Sequence, residues 1–361
     1  MSYLIAAAGT GGHVYPGLAV GEALVAAGVP RQDVHFVGGE RLETKVYPAA
    51  GFPFFAVPLR GLERRLTRRN LAIPRVVSSA AGAIGNEIVA RGVGAVLGMG
   101  GYVTLPTAWA ARQRAVPLFV AEQNADAGLA NRVSSRWAVE AFTSFPETRG
   151  LRHGRWVGNP IRRGLASFDR ETLRPEALAR YGLVPDVTVV GVVGGSLGSA
   201  RINRALVEMV QEWTGPDFQL LHLAGESNLE EVTAVQSRYT GPVRWSVLGF
   251  EPEMQYVLAA SDLVVARAGG SVAELTATAT PAVLVPGGFG SSGHQAANAA
   301  VLAGAGSARV VSEEQIGELA KVIEELILDR EQRERMGAAA TAMARPNAAD
   351  EVVSALLAAH G

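Results

Sequence analysis

The sequence predicts two α/β domains in tandem, each built on a parallel β-sheet. Short apolar runs alternate along the chain with helical patterns, which is typical of βαβ units. The same pattern restarts near Val187 with a new strand and a second glycine-rich loop. The length of 361 residues also exceeds the size at which single hydrophobic cores usually stop growing, about 250–300 residues.

The first domain opens with an apolar run, Tyr3–Ala8, which we predict to be a strand. A glycine-rich turn, Gly9–His13, leads from it into a helix from about Pro16 to Ala27. Pro16 suits a first helical turn and Gly28 suits a C-terminal cap. The further strands predicted in this domain are Val34–Gly38, Phe54–Pro58, Ala95–Leu97, Pro117–Val120 and Ala141–Thr143.

The second domain opens with the buried-type strand Val187–Val193, which runs into the loop Gly194–Ser199 and a helix from about Ala200 to Trp213. Its other predicted strands are Gln219–Leu223, Val243–Val247, Leu263–Ala266 and Ala282–Val285. Gly and Pro interrupt the pattern in Trp156–Ile161, where we expect the seam. The domains are therefore placed at residues 1–160 and 164–345, and a last amphipathic helix at about 347–361.

The composition excludes several classes of protein. The chain has no cysteine, which excludes a disulfide scaffold, a thiolate zinc site and a cysteine nucleophile. With 48% hydrophobic residues and a net charge of −1, it does not have the composition of a disordered chain. Residues 1–165 carry 19 Lys and Arg against 10 Asp and Glu, whereas residues 166–361 carry 14 against 24. The basic half and the acidic half therefore indicate different partners.

The sequence predicts no membrane span, because Gly, Pro or charge breaks every apolar run well before about 20 residues. No basic residue precedes Arg31, so the N-terminus lacks the charged region of a signal peptide. The default expectation is a cytoplasmic protein.

The first glycine-rich loop, Gly9–Gly12, lies between a strand and a helix. Such a loop lets the backbone approach a ligand, and the helix N-terminus favours an anion. It lacks the Lys-Ser/Thr ending of a P-loop and the third glycine of a dinucleotide fingerprint. His13 is a candidate general base near neutral pH. The alternatives are a tight turn and a structural histidine.

The second domain repeats this arrangement at Gly194–Ser199 and at Arg267–Glu274. Both segments suit phosphate oxygens at a helix N-terminus. One such loop in each domain, Gly9–Gly12 and Gly194–Ser199, indicates a ligand held in a cleft between the domains. Glu274 is a candidate for ribose hydroxyls, or an ordinary acidic residue in a first helical turn. The loop Pro286–Gln295 suits the recognition of sugar hydroxyls, or is only a long mobile loop.

Two further segments follow predicted strands of the first domain. Gly98–Tyr102 permits close backbone approach or tight packing, and Glu122–Asn124 is either a cleft lining or a solvated loop. The chain has no Asp-x-Asp pair, which is the usual metal clamp on a nucleotide diphosphate. Helix dipoles, backbone N–H groups and Arg are expected to stabilise a leaving diphosphate instead.

A basic cluster of five arginines lies within ten residues, at Arg60, Arg64, Arg65, Arg68 and Arg69. It leads into an apolar stretch, and this combination suits an anionic lipid surface. Nucleic acid is not expected, because no set of aromatic residues is interleaved with the arginines. The alternative is a solvated charged loop.

Taken together, these segments resemble the MurG family of glycosyltransferases along essentially the whole chain. The segments that carry the resemblance, in the family's order and spacing, are Gly9–Pro16, Gly98–Tyr102, Glu122–Asn124, Val157–Arg162, Gly194–Gly198 and Arg267–Glu274. The resemblance implies a GT-B fold, with two Rossmann-like parallel-sheet domains facing a deep cleft. It also implies that the C-terminal helix packs back on the first domain.

The resemblance implies an inverting transfer of N-acetylglucosamine from UDP-N-acetylglucosamine to the muramyl 4-hydroxyl of undecaprenyl-pyrophosphoryl-MurNAc-pentapeptide. This reaction converts lipid I to lipid II in peptidoglycan synthesis, and so serves cell wall biogenesis, cell shape, cell division and the cell cycle. The implied partners are a UDP-sugar donor, a polyprenyl-diphosphate lipid acceptor and the anionic cytoplasmic face of the cell membrane, on which the protein would be peripheral. No cofactor or metal is expected.

The resemblance also implies roles for individual residues. His13 and Glu122 are rival candidates for the general base. Residues implied on the donor side are Thr10, Gly11, Gly12, Asn124, Arg162, Ser196, Glu251, Gly269, Gly270, Ser271, Glu274 and Gln295. Residues assigned to the acceptor or the membrane are Gly100, Gly101, Tyr102, Arg60, Arg64, Arg65, Arg68 and Arg69.

Three alternatives stay open on the sequence alone. One is another GT-B UDP-sugar transferase or a UDP-sugar epimerase. A second is a nicotinamide-dependent oxidoreductase, which the weak dinucleotide fingerprints disfavour. The third is a non-catalytic protein that binds UDP-sugars.

Overall fold

The computed structural model describes residues 1–58, 73–151, 154–195, 198–287 and 292–359. The chain divides into two compact units. The first unit comprises Met1–Arg163 together with Arg345–Gly361, and the second comprises Gly164–Ala344.

The strands and helices alternate along most of the chain. The strands are β1 Ser2–Ala6, β2 Val34–Gly38, β3 Phe54–Ala56, β4 Val93–Gly98, β5 Leu118–Glu122, β6 Glu140–Thr143, β7 Gly154–Trp156, β8 Val189–Val193, β9 Gln219–Leu223, β10 Arg244–Leu248, β11 Leu263–Ala266, β12 Ala282–Leu284 and β13 Ala308–Val310. The helices are α1 Gly11–Ala26, α2 Glu43–Ala49, α3 Ile73–Ala90, α4 Thr104–Gln113, α5 Leu129–Ser134, α6 Arg163–Ala166, α7 Arg170–Arg180, α8 Ala200–Glu212, α9 Leu229–Gln236, α10 Met254–Ala260, α11 Val272–Ala277, α12 Ser292–Gly304, α13 Leu319–Leu328, α14 Arg330–Met343 and α15 Ala348–Ala358.

The sheet of the first unit has seven strands within the described residues, in the order β3-β2-β1-β4-β5-β6-β7. Its pairings are parallel. The chain builds outward from β1 through β2 to β3 and then crosses to β4 on the other side of β1. The switch point between β1 and β4 is where open α/β sheets bind ligands, just beyond the carboxyl ends of the strands.

The sheet of the second unit repeats this plan with six strands in the described part of the chain, ordered β10-β9-β8-β11-β12-β13. These pairings are also parallel. Its switch point lies between β8 and β11, so the segments that follow these two strands meet at one edge of the sheet.

Both faces of the first sheet are covered, as the apolar runs predict for parallel strands. Leu4 and Ile5 are adjacent in β1 and are both almost fully buried, yet they belong to core clusters on opposite faces. The C-terminal helix α15 packs against α1 and contributes Val352, Val353 and Leu356 to the core of the first unit. Arg155 pairs with Glu351 at 3.0 Å and ties the edge strand β7 to this helix.

The structure corrects several local predictions. Helix α1 begins at Gly11, so Pro16 lies inside the helix and not in its first turn. The helix starts within the glycine-rich turn because Thr10 is its N-cap, with an extended backbone and a carbonyl that accepts the N–H of Val14. The cap at the other end is as predicted: Gly28 has a φ of 97°, and its N–H donates to Val25.

Two other predicted loops are partly regular structure. Glu122 is the last residue of β5 and is buried, so it does not belong to a solvated loop. Helix α12 begins at Ser292, which places Gln295 on a helix and not in the predicted mobile loop. The short edge strands β7 and β13 were not predicted, because each is only three residues long and mostly not buried.

Within the described residues, no helix combines the length and hydropathy needed to cross a bilayer.

Candidate active site

Two glycine-containing segments flank the switch point of the first sheet. The segment after β1 carries Gly9 and Thr10, and the segment after β4 carries Gly100 and Gly101. They are in close contact, because a Cβ on Gly101 would lie 2.6 Å from the carbonyl oxygen of Ala8. The two loops that the sequence separates by about ninety residues therefore form one surface.

His13 lies on this surface, in the first turn of α1, and is half-buried. Its Nδ1 is 3.3 Å from the Oγ1 of Thr10. On its other side, a Cβ on Gly100 would lie 3.0 Å from the Nε2 of His13, and Gly100 has a φ of 95°. Only glycine fits at this position, since any side chain would fill the space beside Nε2. In the tautomer with the proton on Nδ1, Nε2 keeps the lone pair that a general base needs.

Glu122, the rival candidate for the base, already accepts four hydrogen bonds. Its Oε1 accepts the backbone N–H of Asn124 at 3.0 Å and the side-chain amide of Asn124 at 2.8 Å. Its Oε2 accepts the N–H of Gly128 at 3.0 Å and the amide of Asn131 at 2.8 Å. A carboxylate offers about four such positions. The geometry therefore makes Glu122 the group that orients Asn124 and the start of α5.

Asn131 was not singled out from the sequence. It is 1% exposed, and its Nδ2 donates to Ala121 as well as to Glu122. Its Oδ1 is buried and has no hydrogen-bond partner among the described residues. A Cβ on Gly100 would lie 3.3 Å from its Nδ2, so this amide flanks the same glycine as His13. A Gly-Leu-x-Asn run at the start of a helix was the available signal.

Glu43, at the start of α2, was also missed. Its carboxylate is fully buried and accepts the N–H groups of Gly39 at 2.9 Å and Gly9 at 3.2 Å. The hydroxyl of Tyr102 donates to it at 3.2 Å. Burial and this carboxylate raise the pKa of Tyr102 to about 12. The signal in the sequence was the pair Gly38-Gly39 at the end of β2.

Arg162 lies at the end of the first unit, with its guanidinium carbon 5.2 Å from the ring centroid of Tyr15 on α1. The basic cluster at Arg60, Arg64, Arg65, Arg68 and Arg69 lies outside the described residues.

In the second unit, Gly194–Ser199 leads from β8 into α8. Ser199 caps this helix, because its Oγ accepts the N–H of Ile202 at 3.3 Å. Gly198 has a φ of 72°, and a Cβ there would lie 2.2 Å from the carbonyl oxygen of Ala224. The backbone at Gly198 therefore packs closely against the segment that follows β9, just before a helix N-terminus of the kind that favours an anion. Ser196 lies outside the described residues.

Arg267 joins the loops on both sides of this second switch point. Its Nη2 donates to Ser199 Oγ at 2.8 Å, and its Nη1 donates to the carbonyl of Val285 at 3.0 Å. Glu313 pairs with it at 2.5 Å, and both side chains are largely buried. A single cation therefore connects the ends of β8, β11 and β12.

The segment that follows Arg267 contains Gly269, Gly270 and Ser271, which lead into α11 and are half-buried. Glu274 is the third residue of this helix and is also half-buried. Gln295 lies on α12, and its Oε1 accepts the N–H of Gly287 at 2.8 Å. Its amide nitrogen is not part of that contact.

Glu251 lies in the segment between β10 and α10 and is 5% exposed. Its carboxylate pairs with Arg180 at 3.2 Å, and it accepts the hydroxyl of Tyr181 and the N–H of Glu253, both at 2.9 Å. Burial and this carboxylate raise the pKa of Tyr181 well above its ordinary value. The side chain is thus an anchor, and only the backbone around it is available to a ligand.

The predicted site residues therefore fall into two groups, one in each unit, at or after the carboxyl ends of strands of that unit's own sheet. The first unit contributes Thr10, Gly11, Gly12, His13, Gly100, Gly101, Tyr102, Glu122, Asn124 and Arg162. The second contributes Glu251, Gly269, Gly270, Ser271, Glu274 and Gln295. Among the residues that the structure describes, no group of three or more His, Asp or Glu is placed to hold a metal ion.

Two family models match the chain, one in each unit. Residues 3–143 match the glycosyltransferase family 28 N-terminal domain, and residues 189–352 match the glycosyltransferase family 28 C-terminal domain. Together they span most of the chain.

Several similar curated proteins share one name. The UDP-N-acetylglucosamine–N-acetylmuramyl-(pentapeptide) pyrophosphoryl-undecaprenol N-acetylglucosamine transferase of Halorhodospira halophila is 40% identical over 97% of this chain and 96% of its own length. The protein of the same name from Acidothermus cellulolyticus is 35% identical over 96% of this chain and 95% of its own.

Solved structures agree with this similarity. Acinetobacter baumannii MurG superposes with a TM-score of 0.79 at 26% identity, covering 99% of this chain and 100% of its own. A UDP-GlcNAc 2-epimerase from Neisseria meningitidis, bound to UDP-GlcNAc, has a TM-score of 0.67 but only 14% identity, and so shares the fold alone.

The two Rossmann-like parallel sheets are those of the GT-B fold, as the MurG resemblance implied. The rival class of nicotinamide-dependent oxidoreductases is excluded, because the chain matches glycosyltransferase models in both units. The chain is a hexosyltransferase that belongs to glycosyltransferase family 28 and, within it, to the MurG family.

Proposed function

We propose that the chain transfers N-acetylglucosamine from UDP-N-acetylglucosamine to the muramyl 4-hydroxyl of undecaprenyl-pyrophosphoryl-MurNAc-pentapeptide, which makes lipid II for peptidoglycan. The observation that carries this proposal is the 40% identity to a transferase of that name over nearly the whole chain. The geometry at the two switch points is consistent with it, because one offers a general base and the other offers an anion site.

The second unit binds the donor. The N-terminus of α8 and the Gly269–Ser271 segment offer backbone N–H groups to the diphosphate. Arg267 supplies positive charge beside Ser199 at the same edge of the sheet. Glu274 accepts hydrogen bonds from the ribose hydroxyls. The backbone around Glu251 contacts the uracil, and the Gln295 amide binds the sugar hydroxyls.

The first unit carries out the proton transfer. The acceptor hydroxyl attacks the anomeric carbon from the face opposite UDP, so the new glycosidic bond forms as the bond to UDP breaks and the configuration inverts. The proton of the hydroxyl passes to Nε2 of His13, while Thr10 holds the other ring nitrogen. Glu122 keeps Asn124 in place for the donor sugar.

We further propose that this transfer needs no metal. N–H dipoles and Arg267 neutralise the charge that develops on UDP. The absence of an Asp-x-Asp pair from the sequence supports this proposal.

The decisive experiment incubates the chain with radiolabelled UDP-N-acetylglucosamine, with and without the lipid-linked muramyl acceptor, in the presence of EDTA. We expect the label to enter the lipid fraction only when the acceptor is present. Conversion of the donor to another UDP-sugar without acceptor would identify an epimerase instead. Binding of UDP without turnover of any kind would identify a non-catalytic sugar-nucleotide binder.

We also propose that the chain works as a peripheral protein on the cytoplasmic face of the cell membrane. The support is the cluster of five arginines between Arg60 and Arg69, which is followed by the exposed residues Arg75 and Val76 at the start of α3. Co-sedimentation with vesicles that contain phosphatidylglycerol, compared with vesicles of neutral lipid alone, tests this proposal. Changing both Arg64 and Arg65 to Glu should release the protein, and unchanged binding would rule the cluster out.

A further inference from the structure

The Glu43 side chain hydrogen-bonds to all three of the segments that follow β2, β1 and β4. These strands are neighbours in the sheet, and the switch point lies between the last two. The contacts reach Gly39 after β2, Gly9 after β1 and Tyr102 after β4. Neither the general base nor any donor contact proposed above involves this carboxylate.

The surroundings of Glu43 are shaped to admit this carboxylate. A Cβ on Gly38 would lie 2.7 Å from its Cγ, and a Cβ on Gly39 would lie 3.1 Å from its Oε1. The Cβ on Gly39 would also lie 2.0 Å from the hydroxyl oxygen of Tyr102. The two consecutive glycines therefore leave the space that the carboxylate of Glu43 and the phenol of Tyr102 occupy.

The contact with Gly9 connects Glu43 to the loop that carries the candidate general base, His13. Gly9 has a φ of 101° and immediately precedes Thr10, whose Oγ1 is 3.3 Å from the Nδ1 of His13. A carboxylate that accepts the N–H of Gly9 thus sets the direction in which the chain enters α1. On the opposite side, the same carboxylate holds Tyr102, which follows the glycine pair beside His13.

We infer that Glu43 is a positioning residue for the transfer reaction, and this inference rests on the function proposed above. It aligns the Gly9–His13 loop and the Gly100–Tyr102 loop with each other, so that Nε2 of His13 meets the acceptor hydroxyl. A displacement of about 1 Å in such a site costs on the order of a hundredfold in rate. The residues seen in this network all belong to the first unit, whereas the proposed donor site lies in the second.

The test is Glu43→Gln in the full chain. The amide has the same shape, but its nitrogen cannot accept an N–H, so one of the contacts to Gly9 and Gly39 is lost. We expect kcat to fall at least tenfold, with KM for the donor and Kd for UDP within threefold of the wild-type values. Glu43→Asp keeps the charge but draws it back by one methylene, and we expect it to lower kcat in the same way.

Hydrogen exchange gives a readout that does not depend on turnover. In both variants, amide exchange should accelerate in peptides that cover residues 9–14 and 100–102, while the second unit stays at the wild-type rate. The matched control is Glu87→Gln, which removes an exposed carboxylate of the same unit that pairs with Arg91 at 2.6 Å. The control should leave both kcat and exchange unchanged.

Unchanged kcat and unchanged exchange at residues 9–14 in a folded variant would overturn the inference. Faster exchange spread over the whole first unit would also overturn it, because Glu43 would then serve stability alone. If the wild-type chain itself shows no transfer but local exchange still responds to Glu43→Gln, then the proposed function has failed and the positioning has not.

Discussion

In the first unit, buried carboxylates hold the loops that follow the strands by accepting N–H and O–H groups, whereas in the second unit buried carboxylates that pair with arginines do so. Glu43 and Glu122 accept seven such hydrogen bonds between them from described residues. Arg267 pairs with Glu313, and Arg180 pairs with Glu251.

The difference matches the different tasks proposed for the two units. A loop that must aim a histidine benefits from a fixed acceptor, since hydrogen bonds to a charged group contribute about 1.5–3 kcal/mol each. A loop that must receive a dianion benefits from a cation held in place by a carboxylate of its own unit. This also explains how the half of the chain with excess acidic residues can bind an anionic donor: its carboxylates orient the arginines.

The largest effect expected is that of His13→Ala. General base catalysis contributes about 10²–10⁴-fold, so kcat should fall by a factor in that range. Calorimetric titration with UDP should give an unchanged Kd, since the proposed nucleotide site lies in the second unit. A variant that retains near-wild-type turnover would show that His13 is not the general base.

Next in size is Arg267→Met, which should weaken UDP binding and destabilise the second unit. Removing one partner of a buried ion pair costs about 3–5 kcal/mol. Denaturant unfolding and UDP titration measure the two effects. The control is Arg309→Met in the same unit, because its pair with Glu325 is more than 40% exposed on both sides and such pairs contribute little. Equal effects of the two variants would contradict the role given to Arg267.

The smallest effect concerns acid stability. His222 is fully buried, its Nε2 lies 3.0 Å from Asn203 Oδ1, and burial lowers its pKa from 6.5 to about 4. Between pH 6.5 and about 4, the unfolded chain therefore binds a proton at His222 and the folded second unit does not. The free energy of unfolding keeps its full value above pH 6.5 and falls as the pH drops toward 4. The full loss amounts to about 3 kcal/mol.

Unfolding of the wild type and of His222→Gln should be followed between pH 7 and pH 4 to measure this loss. The variant should show a shallower fall in unfolding free energy than the wild type. The control His294→Gln, at a less buried position, should keep the wild-type slope. Parallel curves for all three proteins would mean that His222 is not the group that titrates.

Much of the fold was predictable because parallel strands buried on both faces appear as continuous apolar runs. β9 and β11 have the bounds that the sequence predicted, and both are fully buried. The edge strands β7 and β13 were missed, since a short strand with one neighbour needs little apolar sequence. The predicted start of α1 was five residues late, because glycine and proline are poor helix formers and this helix begins inside a glycine-rich turn.

The candidate site was predictable as a set of loops but not as a set of contacts. Glycine-rich segments after strands indicated where ligands bind, because the switch point of a parallel sheet follows from strand order. Glu122 takes its four hydrogen bonds from residues within nine positions of it, but only the fold of that segment brings them to the carboxylate. Arg267 joins three strand ends through atoms 18 to 68 positions away in sequence. Local patterns carry no information about such partners.

By itself, the sequence determined the fold class, the family and the positions of the glycine-rich loops, because apolar periodicity and backbone freedom are local properties of the chain. Only the tertiary structure decided which acidic residues serve as anchors. Glu43 reaches Gly9 across 34 positions and Tyr102 across 59. A buried carboxylate is stable only where folding brings enough donors around it, so its role appears only when those segments are in contact.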